Sequence, residues 1–181
     1  EEISNAEILG EVGQTYLALK EYDKAIDVLQ RAIKKKPKKE YRLALAEGQS
    51  GLGEHKRAIE TYQQRIQAYP GNWRYRRYLG LEYQRVERYE DAIEQYQEVV
   101  KIIPESVNGY YYLGNVYREL QRYDEAIRQY LNGLEYRSDH YWSRVRCGLC
   151  YAAKQDYSNA VKQYEAAIDI EPLDDEAYAF L

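Results

Sequence analysis

Two cysteines stand at Cys-x-x-Cys spacing in the run Cys147-Gly-Leu-Cys150, the spacing of redox and metal pairs. Thioredoxin-like chemistry needs the thiolate at a helix N-terminus after a strand. Apolar residues at helical spacing place this pair inside a helix instead, and no third or fourth ligand shares the motif. His55 and His140 are the two available imidazoles. Neither accompanies a serine, cysteine or carboxylate cluster that could make a nucleophile and base, so each is expected on the surface or in a helix cap. No GxGxxG or phosphate-cradling glycine loop is present. The expectation is therefore a non-enzyme, with no catalytic, cofactor-binding or metal-binding residues and no cofactor.

One further cluster could bind an ion. The run Lys34-Lys-Lys-Pro-Lys-Lys39 resembles an anion patch or nuclear address, but it closes a helix, where cations favour the negative end of the dipole. A net charge of -4 and a pI near 5.4 give no global attraction to phosphate, which disfavours nucleic acid as a partner. Of the 181 residues 45% are hydrophobic and 31% charged, too apolar for a disordered chain. A mean hydropathy of -0.80 with no long apolar run argues against membrane insertion. Two cysteines cannot make a multi-bridge framework, so a reducing, cytoplasmic setting is favoured.

The elements that must carry these residues are set by a period. Ala25, Ala58, Ala92, Ala126 and Ala160 stand at steps of 33, 34, 34 and 34 residues. Their neighbours recur as Tyr22-Asp-Lys-Ala-Ile, His55-Lys-Arg-Ala-Ile, Tyr89-Glu-Asp-Ala-Ile, Tyr123-Asp-Glu-Ala-Ile and Tyr157-Ser-Asn-Ala-Val. Twelve positions before each alanine lies a small residue, Gly13, Ala46, Gly80, Gly114 or Gly148. Small residues on successive helices let them approach closely. Apolar spacing such as Leu79, Tyr83, Val86, then Ile93, Tyr96, Val99 and Val100 makes each repeat two amphipathic helices. Cys147 takes the place held by Leu45, Leu79 and Leu113, so it is expected as a buried hydrophobe.

Asp23, Asp124 and Ser158 are expected to cap the second helices, and Gly71-Asn72 the first helix of the third repeat. Ser4-Asn-Ala-Glu7 reads as a capping box. Pro37, Pro70, Pro104 and Pro172 end second helices. Twelve of the 22 tyrosines fall at three repeated scaffold positions. Gln49 and Ser138 depart from the repeat and are expected to pack less regularly.

This pattern resembles the tetratricopeptide repeat family, whose unit has a large residue, Leu-Gly-x-x-Tyr, Tyr-x-x-Ala, a further Ala and a closing Pro. Leu79-Gly80 with Tyr83 and Leu113-Gly114 with Tyr117 match best, and the resemblance covers roughly residues 6 to 174. It implies an all-α fold, a right-handed α-solenoid of antiparallel helix hairpins. The expected organisation is one domain over 1–181, with repeats at about 6–38, 39–72, 73–106, 107–140 and 141–174. Residues 175–181 read as the truncated start of a further or capping helix.

The resemblance also implies that first helices line a concave groove that holds a partner protein or peptide. Positions i, i+3, i+7 and i+10 share one helix face, which offers Glu7, Gln14, Glu40 and Glu47 from repeats one and two. Repeats three to five offer Arg74, Arg77, Tyr78, Leu81, Arg85, Tyr111, Asn115, Arg118, Trp142 and Arg146, with Val145 and Leu149 nearby. Arginine beside exposed aromatics is hot-spot chemistry and suits an acidic segment with an aromatic or aliphatic anchor. The carboxylate clamp of chaperone-binding members is not reproduced, because Leu81, Tyr112 and Trp142 stand where Asn, Asn and Lys are expected. The alternative expectation is a self-assembling scaffold, stacking through an uncovered C-terminal repeat.

Overall fold

The computed structural model describes residues 5–171. The described chain is all-α, with helices α1 (Asn5–Ala18), α2 (Tyr22–Lys35), α3 (Lys39–Gly51), α4 (His55–Ala68), α5 (Trp73–Arg85), α6 (Tyr89–Ile102), α7 (Val107–Glu119), α8 (Tyr123–Tyr136), α9 (Tyr141–Ala153) and α10 (Tyr157–Ile168). Each expected repeat is one pair of successive helices. The Ser4 capping box, Pro172 and the run 175–181 lie outside the described residues.

The helices within each hairpin are joined by one recurrent turn. Lys20, Gly53, Glu87, Gln121 and Gln155 all take the left-handed conformation, with φ between 57° and 84°. In the fourth hairpin the Gln121 N–H donates to the Arg118 carbonyl (2.9 Å) and the Arg122 N–H to the Tyr117 carbonyl (2.8 Å). These two bonds satisfy carbonyls that the end of a helix leaves open. Second helices stop differently. Lys36, Tyr69 and Ile103 cap α2, α4 and α6 outside the helical region, each directly before a proline, where the ring disfavours helical backbone. Arg137 adopts the same extended conformation at the end of α8 although Ser138 follows it. That departure from the repeat leaves the backbone unchanged.

The caps correct part of the sequence reading. Asn72 accepts from the Arg74 N–H at 3.1 Å, as expected. Asp23, Asp124 and Ser158 are not caps. The residues with non-helical backbone before α2 and α8 are Glu21 and Arg122, which make no side-chain cap bond, and Asp156 caps α10 by accepting from the Asn159 N–H. A cap must precede the helical dihedrals; the three expected residues sit one step inside the first turn, where the two aspartates still oppose the helix dipole.

The described residues fall into two compact units that divide between Glu87 and Arg88, the first with α1 to α5 and the second with α6 to α10. In the first, each helix packs on the next in order, and α1 also meets α3. Its core joins Ala25, Leu29, Ala32, Tyr41 and Ala44. In the second the same order holds from α6 to α10, with α7 also meeting α9. Tyr141, Val145 and Ala167 join there.

The recurrent residues explain the packing. All five alanines of the period are buried. A Cβ on Gly114 would lie 2.5 Å from the Tyr130 ring, and one on Gly148 would lie 2.5 Å from the Tyr164 ring. The glycines therefore seat the large aromatic of the paired helix, and each buried tyrosine removes roughly 150–250 Å² from water. Gln49 is buried too, its Oε1 accepting from the Thr61 hydroxyl at 3.2 Å.

Candidate partner-binding faces

In the first unit Arg74, Arg77, Tyr78, Leu81 and Arg85 lie on one face of α5, and none is buried. Tyr78 is held by stacking on Tyr62 of α4, with centroids 5.5 Å apart. The Arg77 guanidinium lies 4.3 Å from the Tyr78 centroid, and that of Arg74 lies 5.6 Å from the Trp73 ring. Both cations thus have aromatic supports that orient them. Arg85 is different. It folds onto Glu82 at 2.5 Å and onto the Ser50 hydroxyl. Glu82 is buried, and it also accepts from Ser50 (2.7 Å) and meets His55 Nδ1 (2.9 Å). This network joins α3, α4 and α5 beneath a cavity of about 410 Å³ lined in part by Leu17, Glu47, Tyr78 and Leu81. The charge of Arg85 is largely answered from within.

In the second unit the face is built by α7 and α9. Tyr111 packs edge-on against His140 (5.4 Å) and at a tilt against Tyr130 (6.2 Å). Asn115 accepts from the buried Tyr130 hydroxyl at 2.7 Å, and burial pushes that phenol well above its usual range. Trp142 is 40% exposed. Its ring is set edge-on against Tyr141, with Arg146 5.6 Å from it. Arg118 of α7 and Arg146 of α9 both act electrostatically on the buried Cys150 thiol, lowering its pKa against the larger effect of burial. Val145, expected near the groove, is instead wholly buried, because the position three residues after Trp142 turns towards α10.

The remaining candidates are structural. Cys147 and Cys150 are free and buried; burial pushes the first thiol up to about 12 and the second to about 11, so neither supplies thiolate at neutral pH. Among the described residues no group of three His, Cys, Asp or Glu could hold a metal. His140 caps α9, its Nδ1 accepting from the Ser143 N–H at 3.2 Å. Burial, then the Arg137 charge, lowers its pKa. Of the lysine run, Lys36 and Lys38 both reach Glu7 of α1, at 3.4 and 2.7 Å, so part of it ties the α2–α3 connection back to α1. No helix among the described residues is long and apolar enough to cross a membrane.

Comparison with known families agrees with the period. Family models described as tetratricopeptide repeat match residues 6–39, 43–106, 79–141 and 113–175. The chain belongs to the tetratricopeptide repeat family. No curated protein matches it. Solved tetratricopeptide structures share the fold. MamA from Desulfovibrio magneticus RS-1 is 17% identical, with 96% of this chain and 99% of that one covered and a TM-score of 0.80. TTC0263, a thermophilic TPR protein of Thermus thermophilus, is 22% identical over 97% and 96% at 0.73. YrrB, described as a TPR protein with an unusual peptide-binding site, is 18% identical over 97% and 91% at 0.72. Tetratricopeptide arrays are protein-interaction scaffolds, and the fold of this chain is of that kind.

Proposed function

We propose that the chain is a non-catalytic scaffold in a reducing, cytoplasmic setting, and that its α7–α9 face binds an acidic segment of a partner protein carrying an aromatic or aliphatic anchor. What supports the reading is that Trp142 is exposed with the Arg146 guanidinium 5.6 Å from its ring, and that α7, which carries Arg118, packs against α9, while the repeat does not require these residue types. The positions equivalent to Trp142 hold Glu7, Glu40, Arg74 and Asn108, and those equivalent to Arg146 hold Glu11, Ala44, Tyr78 and Tyr112. Residue type varies freely there, whereas the recurrent alanine position is constant and the glycine position holds only Gly or Ala. Guanidinium groups meet carboxylates in a two-pronged geometry, and Trp142 supplies flat apolar area beside them. Arg74, Arg77, Tyr78 and Leu81 offer the same chemistry on α5, with Arg85 in a lesser part.

Fluorescence anisotropy with labelled Asp/Glu-rich peptides bearing Phe or Leu tests the reading. Binding should weaken at least about tenfold in Arg118→Glu/Arg146→Glu and fall with salt. Unchanged affinity in that double variant counts against it.

A second reading, self-assembly through the last hairpin, is favoured by one observation. Val161 is 39% exposed, whereas Ile59, Ile93 and Ile127 at the equivalent position are at most 9% exposed. Sedimentation equilibrium should then show oligomers that Val161→Glu disperses; a concentrated monomer removes this reading.

A further inference from the structure

Position 65 departs from the repeat in a way that packing does not require. Seven places after the recurrent alanine the second helices carry Ala32, Arg65, Val99, Gly133 and Ala167. Arg65 keeps the buried place of its equivalents and is only 5% exposed. A guanidinium therefore fills a space that elsewhere holds nothing larger than valine. It lies 4.7 Å from the Tyr69 ring and 6.0 Å from the Tyr75 ring. Its Nε has no hydrogen-bond partner. No ion pair among the described residues includes it, although buried cations are ordinarily paired. Two tyrosine faces and the C-terminal end of α4 offset only part of that deficit.

The two rings beside Arg65 line a recessed corner that also carries Lys39 and Arg74. Tyr75 also lines a cavity of about 230 Å³ with Lys39, Glu40, Asn72 and Arg74. Tyr69 lines a neighbouring one of about 590 Å³ with Pro70 and Trp73. Helix α5 begins between them, so the positive end of its dipole points to the same place. Glu40 is the one acid among these lining residues, and it sits 3.8 Å from Lys39.

We propose that the α4–α5 corner is an oxyanion site in which the buried Arg65 guanidinium, helped by Arg74 and Lys39, receives a carboxylate or phosphate group. Tyr69, 46% exposed, forms its outer wall, and Tyr75, buried, forms its floor. The bound oxyanion would supply the counterion that the fold leaves out. It involves different residues from the α7–α9 face, so either can fail without the other.

The test is calorimetric titration of the whole chain with inorganic phosphate and, separately, acetate, against chloride at matched ionic strength. Binding in the millimolar range is expected for at least one oxyanion, falling about tenfold in Arg65→Met and several-fold in Arg74→Gln. Response to acetate assigns the site to a carboxylate source, and response to phosphate alone to a phosphorylated one. Arg74 is exposed, so its variant stays informative whether or not Arg65→Met folds. No heat beyond the chloride control, or equal binding by wild type and Arg74→Gln, overturns the proposal.

Discussion

The hairpin turns offer a test in which packing is absent and backbone alone decides. Gly53 has φ of 84°, and a Cβ added there would meet no atom within 4 Å. Gln121 holds the equivalent place in the fourth hairpin with φ of 57°. A left-handed L-residue costs about 1–2 kcal/mol, while glycine loses about 0.5–1 kcal/mol more entropy on folding. The difference is about 0.5–1 kcal/mol in favour of glycine at either turn. Gly53→Ala should therefore destabilise by that amount and Gln121→Gly should stabilise by it, because both turn bonds in each hairpin are made by backbone groups. Urea and thermal melts followed by circular dichroism measure both, and for a chain of this size the shifts should be about 1–4 °C in opposite directions. Equal stability for Gly53→Ala and wild type, together with a loss in Gln121→Gly, would refute the claim that these turns store left-handed strain.

Three further outcomes follow from side chains. Neutral His140 accepts the α9 cap bond, and its folded pKa is lowered, so its stabilisation is complete above the unfolded pKa of about 6.5 and is lost as pH falls through the folded value. His140→Asn should keep the cap and flatten that part of the acid limb in pH-dependent melts; an unaltered limb contradicts the assignment. Cys147 and Cys150 should react with a thiol reagent about as slowly as the fold opens and at once in denaturant, and fast native labelling of either contradicts their burial. Gly148→Ala should cost about 1–3 kcal/mol by crowding Tyr164, measured by urea melts. The fully buried Ala46 at the equivalent place in the second hairpin points to the lower end.

What sequence revealed and what it hid divide along physical lines. Helix pairs, buried alanines and the glycine seats for Tyr130 and Tyr164 were legible because one steric requirement recurs with each repeat. The left-handed turn residues were not, since Lys20, Glu87, Gln121 and Gln155 are not residues that mark such a conformation, and Gly53 alone hints at it. The second-helix caps were placed two residues late in α10 because serine is a good cap by type, and only backbone angles show that Asp156 precedes the helix. The Glu82 network was invisible, as its members Ser50, His55 and Arg85 come from three helices with no shared motif. Arg65 did carry a signal, a large cation in a column of Ala, Val and Gly, though its isolation needed coordinates. On the candidate faces, sequence named the arginines by helical spacing, but only the structure shows that Arg85 is bound to the buried Glu82.

The central claim is that the α7–α9 face holds an acidic, anchored segment of a partner. Amide hydrogen exchange of the whole chain, with and without a saturating Asp/Glu-rich peptide bearing a Phe or Leu anchor, tests it most directly. Protection concentrated in Tyr111–Arg118 and Trp142–Arg146 is the predicted result. Protection confined to α8 and α10, or none at saturation, would contradict it.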